Sequence, residues 1–351
     1  METQHRIFVG DSRKMDRLED GEVDLVVTSP PYPMIEMWDG TFSELNPEIG
    51  EALENKEGDT AFELMHRELD KVWDEVGRVL TPGGIACINI GDATRKVGGS
   101  FEMYPNHVRV IERFRENGFQ ILPDILWRKP TNSATKFMGS GMLPPNAYVT
   151  LEHEHILIFR NEGGKRIFEP GSQDRYESAY FWEERNDWFS DVWLDIKGAL
   201  QKLDRDELRE RSGAFPFELP YRLINMFSVY GDTVLDPFWG TGTTSLAAIV
   251  AARNSVGYEI EEEFTSVFSD RVEGVREMSR RINQERLDRH REFVEQRKEN
   301  GMDPKYNAEN YDFPVVTKQE KQIQLYSVEE TERENVSYRV SHSKFKDIYQ
   351  R

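Results

Sequence analysis

The stretch Asp236-Pro-Phe-Trp-Gly-Thr-Gly-Thr-Thr244 constrains the fold of this chain more than any other. Before it runs Thr233-Val-Leu235, a short apolar segment suited to a buried parallel strand. From Thr243 to Ala252 the residues are small and mostly apolar at helical spacing. The local order is therefore strand, glycine turn, helix. Gly240 and Gly242 permit tight backbone geometry and let a ligand approach the main chain. The free N–H groups that open the next helix suit an anionic group. A second apolar run, Ser255-Val-Gly-Tyr-Glu-Ile260, carries an acid at Glu259, about 20 residues on. An acid there can accept hydrogen bonds from both hydroxyls of a ribose.

The loop's composition narrows the ligand. It lacks the lysine of a phosphate-cradling Gly-x-x-x-x-Gly-Lys loop. Ser245 stands where Gly-x-Gly-x-x-Gly needs its third glycine. Asp236 would repel a pyrophosphate but suits an ammonium. S-adenosylmethionine has an ammonium, a carboxylate and a ribose, and fits these residues better than NAD or ATP. An ordinary strand-turn-helix corner is the plainer reading, and it would need no acid at position 259.

A second stretch, Thr28-Ser-Pro-Pro-Tyr32, follows the apolar run 24–28 at the carboxyl end of a strand, where ligands bind in open α/β sheets. Pro30 and Pro31 fix φ twice, bias Ser29 away from helical angles and remove two N–H donors. The Ser29 side chain and the Pro30 carbonyl remain as acceptors, which suits a substrate –NH2 group. Tyr32 offers a ring on which a planar base can stack, worth roughly 1–3 kcal/mol. Taken alone, the stretch also reads as a strand exit stiffened by prolines.

The 351 residues suffice for one large domain or two modest ones. No apolar N-terminal segment and no membrane-length run is present, so a cytoplasmic location and no membrane partner are expected. Cys87, the only cysteine, lies among Ile85, Ala86 and Ile88 and reads as a buried strand residue. That excludes a disulfide frame and a zinc cluster. His153 and His155 share a strand face, but no third ligand is evident and no metal is expected. The net charge of −19 argues against a broad basic nucleic-acid surface. A local one remains, because Arg95, Lys96, Arg109, Arg113, Arg115, Arg128, Lys129 and Lys136 face only Glu102, Glu112, Glu116 and Asp124 in that stretch.

Along the chain, runs at 5–9, 24–28, 85–90, 121–127 and 155–159 read as strands, joined by those at 233 and 255. Helical periodicity covers 60–80, 105–117 and 219–230. Residues 33–59 read as a loop able to close over a site, and 130–150 as a Gly/Pro-rich excursion. Strands interleaved with helices predict an α/β, doubly wound, mostly parallel sheet of about seven strands. Residues 261–299 read as a long charged helix or helix pair. The remainder reads as a polar accessory region with short strands at 322–326 and 336–340.

In this order, the two stretches resemble the β-group amino methyltransferases of DNA, the N-4/N-6 methylase family. The resemblance runs from about residue 5 to 270 and takes in several further pieces. They are Gly10-Asp11, Leu80-Thr-Pro-Gly-Gly-Ile85, Asp124-Ile-Leu-Trp-Arg-Lys-Pro130 and His153-Glu-His-Ile-Leu-Ile-Phe159. Asp191-Val-Trp193, Phe215-Pro216 and Glu218-Leu219 complete the set. The resemblance implies a Rossmann-like methyltransferase sheet, circularly permuted so that the catalytic tetrapeptide precedes the cofactor loop. It implies a catalytic half at 1–160, a target-recognition insert at 161–214, a cofactor half at 215–270 and a charged helical extension at 271–351.

It further implies that Ser29, Pro30, Pro31 and Tyr32 meet a flipped base. Asp236, Pro237, Phe238, Gly240, Gly242, Thr243 and Glu259 would hold S-adenosylmethionine, with Asp11 near the adenine and Phe215-Pro216 near the methionine moiety. Serine at position 29, rather than Asp or Asn, resembles the cytosine-N4 enzymes. The implied reaction is direct in-line transfer of a methyl group to the N4 amine of cytosine in DNA, chiefly by positioning. Transfer to C5 of cytosine would need a cysteine nucleophile, and Cys87 is unsuited. A cognate restriction endonuclease in the same cell is implied, without a stable protein partner.

The segment left for target recognition is short and slightly acidic. Its Arg175, Tyr176, Tyr180, Phe181, Trp182, Arg185, Trp188, Phe189 and Trp193 suit base stacking, and equally a small aromatic core. Transfer to N4 of cytidine in structured RNA and adenine-N6 transfer in DNA stay open as alternatives. From other classes, a silent nucleic-acid-binding partner and a nicotinamide dehydrogenase also stay open, the latter weakened by Ser245.

Overall fold

The computed structural model describes residues 1–129, 139–197 and 215–348. Eleven strands form one mixed sheet. They are β1 (Glu2–Val9), β2 (Val23–Thr28), β3 (Leu80–Ile90), β4 (Gln120–Ile121), β5 (Ile125–Arg128) and β6 (His153–Arg160), followed by β7 (Val192–Trp193), β8 (Thr233–Asp236), β9 (Asn254–Glu259), β10 (Tyr326–Glu334) and β11 (Ser337–Lys344). The order across the sheet is β10-β11-β1-β9-β8-β2-β3-β6-β5-β7, with β4 also beside β6. The central five, β1, β9, β8, β2 and β3, run parallel. Their carboxyl ends, at Val9, Glu259, Asp236, Thr28 and Ile90, therefore share one edge.

Strands β2, β3 and β8 are largely apolar runs because both faces are covered. Successive side chains point to opposite faces. Leu25, Val27 and Cys87 join one core with Leu219, Leu223, Leu246 and Phe268, from helices Glu218–Phe227, Thr243–Val250 and Glu263–Glu273. Val26, Ala86 and Ile88 join the other with Leu69, Val76, Val110 and Phe114, from helices Gly58–Val79 and Asn106–Glu116. The doubly wound α/β architecture is the expected one.

Four details differ. Among the described residues the sheet has eleven strands rather than about seven, and its flanks pair antiparallel except where β7 runs parallel to β5. The run expected at 121–127 is broken into β4 and β5, and Pro123, which has no N–H for the ladder, lies between them. Residues 33–59 are not an open loop but contain helices Asp39–Leu45 and Pro47–Glu54. Asn46 caps the second through the Glu48 N–H at 3.1 Å, and Phe42, Ile49 and Ala52 are buried. The last region is no polar accessory: β11 pairs antiparallel with β1, matching Glu2 to Ser341 and His5 to Tyr338. Val328, Tyr338 and Val340 point into the core while Glu and Arg line the outer positions, as suits an edge hairpin. Helices Glu263–Glu273 and Val275–Glu299 form the expected charged pair.

In the aromatic segment, Phe181, Trp188 and Trp193 are buried. Phe181 packs with Leu287, Tyr311 and Phe313, and Glu184 pairs with Arg286 at 2.5 Å. A small aromatic core describes these residues, whereas Tyr176, Trp182 and Phe189 are exposed. Pro130, Lys136 and residues 198–214 of the recognition segment lie outside the described residues.

Candidate active site

Strands β2 and β8 are neighbours, with Leu25 opposite Val234 and Val26 opposite Leu235. One side chain fastens their ends. Asp236 Oδ1 accepts the Thr28 hydroxyl at 2.6 Å and the Phe238 N–H at 3.1 Å. Its Oδ2 accepts the Thr244 hydroxyl at 2.7 Å. The residue is 3% exposed and bridges the two motifs. Burial raises the carboxyl pKa from 3.8 to about 6, against the opposing effect of its three donors.

A group with a raised folded pKa contributes stability that is complete below the unfolded value and lost as the pH rises through the folded one. Stability is therefore expected to fall between about pH 4 and 6, by about 3 kcal/mol from this group. Asp236→Asn should flatten that fall in urea unfolding at stepped pH. Parallel profiles for the two proteins would rule the assignment out.

The glycine loop has the predicted geometry. Gly240 and Gly242 adopt φ of +52° and +74°. At Gly242 an added Cβ would lie 2.4 Å from Phe268 and 2.7 Å from Trp239, and at Gly257 one would lie 2.2 Å from Trp239. The buried Trp239 thus supports the loop from beneath. Its Nε1–H donates to Ser245 Oγ at 2.8 Å, which gives a physical use for serine where a third glycine was absent. From helix Glu263–Glu273, Arg271 donates to the Thr241 carbonyl at 2.7 Å and the Thr243 hydroxyl at 3.0 Å.

The other side of the loop is bare. A Cβ would meet nothing within 4 Å at Gly10, and only the Phe238 carbonyl at 3.9 Å at Gly240. Between them stands Glu259. Its carboxylate accepts the Gly240 N–H at 2.7 Å and the Glu261 N–H at 3.0 Å, and burial raises its pKa. Its two oxygens, with about four acceptor positions, keep capacity for ligand hydroxyls beside these backbone donors. Gly10 donates to the Glu259 carbonyl at 2.8 Å, which places Asp11 on the same edge. Burial alone would raise the Asp11 pKa, but the hydrogen bonds and charge of Arg13 hold it below the usual range. Phe215 and Pro216 are buried just before helix Glu218–Phe227, and Phe238 meets Trp73 edge-on at 5.8 Å. An exposed main chain beside an acid suits a ribose-bearing ligand.

On the neighbouring strand end, Ser29 Oγ lies 3.0 Å from Tyr32 Oη. Tyr32 donates to Glu154 Oε2 at 3.0 Å. Asn89 Nδ2 donates to Tyr32 Oη at 2.8 Å and to Glu154 Oε2 at 2.7 Å, and Lys129 Nζ to Glu154 Oε1 at 2.9 Å. Burial, then the charge of Glu154, pushes the Tyr32 phenol well above its ordinary pKa. Asn106 fixes the turn by donating to the Pro33 and Gly91 carbonyls at 3.0 Å. Asn89 and Glu154 were not singled out from the sequence, and Lys129 was read only as part of a basic stretch. The available signal was polarity out of place, an asparagine inside the apolar run 85–90 and an acid between two histidines. Those histidines do not converge on a ligand set. Asp92, His107 and His155 group instead, with Asp92 already accepting His107 Nδ1–H at 2.8 Å.

A set of parallel strands with a bare glycine loop, an acid beside it and a proline-stiffened strand exit next door suits a group-transfer enzyme of the methyltransferase kind. A family model described as DNA methylase, of the N6/N4 type, matches residues 23–270. The chain belongs to that family. It is 56% identical to the Type II methyltransferase M.MthZI of Methanothermobacter thermautotrophicus, over 93% of this chain and 91% of that one. To the Type II methyltransferase M.MjaI of Methanocaldococcus jannaschii it is 54% identical, over 77% and 91%. Among solved structures, it is similar to a DNA modification methylase of Thermus thermophilus complexed with S-adenosyl-L-methionine. There the TM-score is 0.59 at 33% identity, covering 76% of this chain and 92% of that one. The fold is shared with the cytosine-N4-specific PvuII DNA methyltransferase, at a TM-score of 0.52 and 18% identity over 80% and 93%. Among the described residues, no helix is long and apolar enough to cross a membrane.

Proposed function

We propose that this protein is a site-specific DNA methyltransferase that moves a methyl group from S-adenosylmethionine to the exocyclic N4 amine of a flipped cytosine. The observation that carries this reading is the adjacency of Ser29–Tyr32 and the glycine loop on neighbouring parallel strands. When bound, S-adenosylmethionine supplies an electrophilic sulfonium methyl. Glu259 accepts its ribose hydroxyls, and the bare backbone at Gly10 and Gly240 admits it. Asp11, Phe215, Pro216, Pro237, Phe238 and Thr243 complete the pocket. Ser29 Oγ and the Pro30 carbonyl accept hydrogen bonds from the two amine N–H groups, drawing the nitrogen toward a geometry that frees its lone pair. Pro31 keeps the exit stiff, and the Tyr32 ring flanks the base. Serine at position 29 favours cytosine over adenine.

DNA as the substrate is supported by the DNA methylase family match and by the two relatives named Type II methyltransferases. The proposal extends to a companion endonuclease that reads the same site. In chain order the tetrapeptide precedes the cofactor loop, which supports a permuted arrangement of the two halves. The test is incubation with tritiated cofactor and separate DNA and RNA pools, followed by nucleoside mass analysis. N4-methylcytosine in DNA is expected. N6-methyladenine, or label only in RNA, would overturn the assignment.

A further inference from the structure

The hydrogen bonds around Tyr32 can be given directions, because most of the groups play a single role. Lys129 Nζ and Asn89 Nδ2 have protons to give and no lone pair to offer, so both donate. The opposite Asn89 amide orientation would set its carbonyl oxygen against the Glu154 carboxylate. An ionised Glu154 only accepts, so the single Tyr32 proton goes to Oε2. Tyr32 Oη then has no proton for Ser29 and only a lone pair to receive one. The Ser29 proton must point at Tyr32. On its free side, Ser29 Oγ presents lone pairs alone.

We infer that Glu154 is a positioning residue which, acting through Tyr32, forces the Ser29 hydroxyl to accept from the substrate amine and prevents it from donating. The inference rests on the amino-transfer reading above and explains a requirement of it. The amine lone pair must be free to form the new N–C bond while the S–C bond breaks and its electron pair stays on sulfur, after which the methylated nitrogen gives up its surplus proton to solvent. A hydroxyl that donated to that lone pair would block attack. An aspartate at position 29 would be acceptor-only by nature, but a serine has one proton to misplace. The three groups that direct it come from adjacent parts of the sheet. Asn89 lies on β3, Glu154 on β6 and Lys129 just past β5, so their spacing is set by backbone pairing.

The test compares Tyr32→Phe, Glu154→Gln and the double variant on one DNA substrate. Tyr32→Phe keeps the ring and removes only Oη. Its kcat is expected to fall roughly ten- to hundredfold, with KM for DNA and affinity for S-adenosylmethionine unchanged. Glu154→Gln, whose amide adds a donor among donors, should fall by a similar factor. The double variant should be no slower than the slower single one, since both act on the same hydroxyl. A Tyr32→Phe enzyme at full kcat would overturn the proposal, because stacking alone would then account for the ring. Multiplying losses in the double variant would overturn it too. If Glu154→Gln loses cofactor affinity, Tyr32→Phe alone decides. The wild-type product nucleoside is read separately, so N6-methyladenine would refute the cytosine assignment while leaving this comparison intact.

Discussion

Ser29→Ala is expected to reduce methyl transfer by about 10²–10³-fold, as removal of one preorganised polar contact at a reacting centre does. Affinity for S-adenosylmethionine should not change, because Ser29 lies on the β2 exit and makes no contact with the glycine loop among its described hydrogen bonds. The loss should appear in kcat with little movement in KM for DNA, as for an interaction made mainly in the transition state. The seam beneath it survives, since Thr28 still donates to Asp236. Calorimetric titration of the cofactor and single-turnover transfer on duplex DNA measure the two halves of this prediction. Wild-type single-turnover rates in the alanine variant would remove Ser29 from the chemistry.

Ending the chain after Gln322 is expected to cost several kcal/mol and to make the protein aggregate. The deletion removes β10 and β11, and with them the buried Val328, Tyr338, Val340, Ile323 and Leu325. Each such side chain is worth about 1.5–3 kcal/mol when fully buried. It also strips the outer partner from β1, leaving a row of unpaired N–H and C=O groups as a template for other chains. Thermal melting and size-exclusion chromatography test it. A soluble truncated protein with the melting temperature of the full chain would show that the hairpin is dispensable.

The central sheet was legible because its strands are buried on both faces and its helices carry a clean 3–4 period. Both site motifs were legible because glycine and proline impose backbone geometry locally. The flanks were harder. In β10, Tyr326–Glu334, the charged outer positions hide the alternation that buries Val328 inside. In 33–59, the cap at Asn46 and the Phe42, Ile49 and Ala52 positions were present, but spread over helices too short to display a period. At the site, composition located Asp236 but not its orientation. Whether an acid faces a ligand or two threonines depends on which strand lies beside it, and pairing between residues 28 and 236 is invisible to local pattern. Glu154 was hidden for the same reason, because its partners Tyr32, Asn89 and Lys129 are remote in the chain.

The bridge from Thr28 through Asp236 to Thr244 bears on where selectivity can reside. On the proposed reading it makes the seat of the donor and the seat of the acceptor one block, like jaws cut from a single piece of steel. The gap between them cannot be tuned by hinging one half against the other. On that reading, every cytosine delivered to this vice meets the same opening, so discrimination between recognition sequences must be exercised earlier, by the segments that deliver the base. Redesign for a new recognition site can therefore leave the jaws alone and work on the feed.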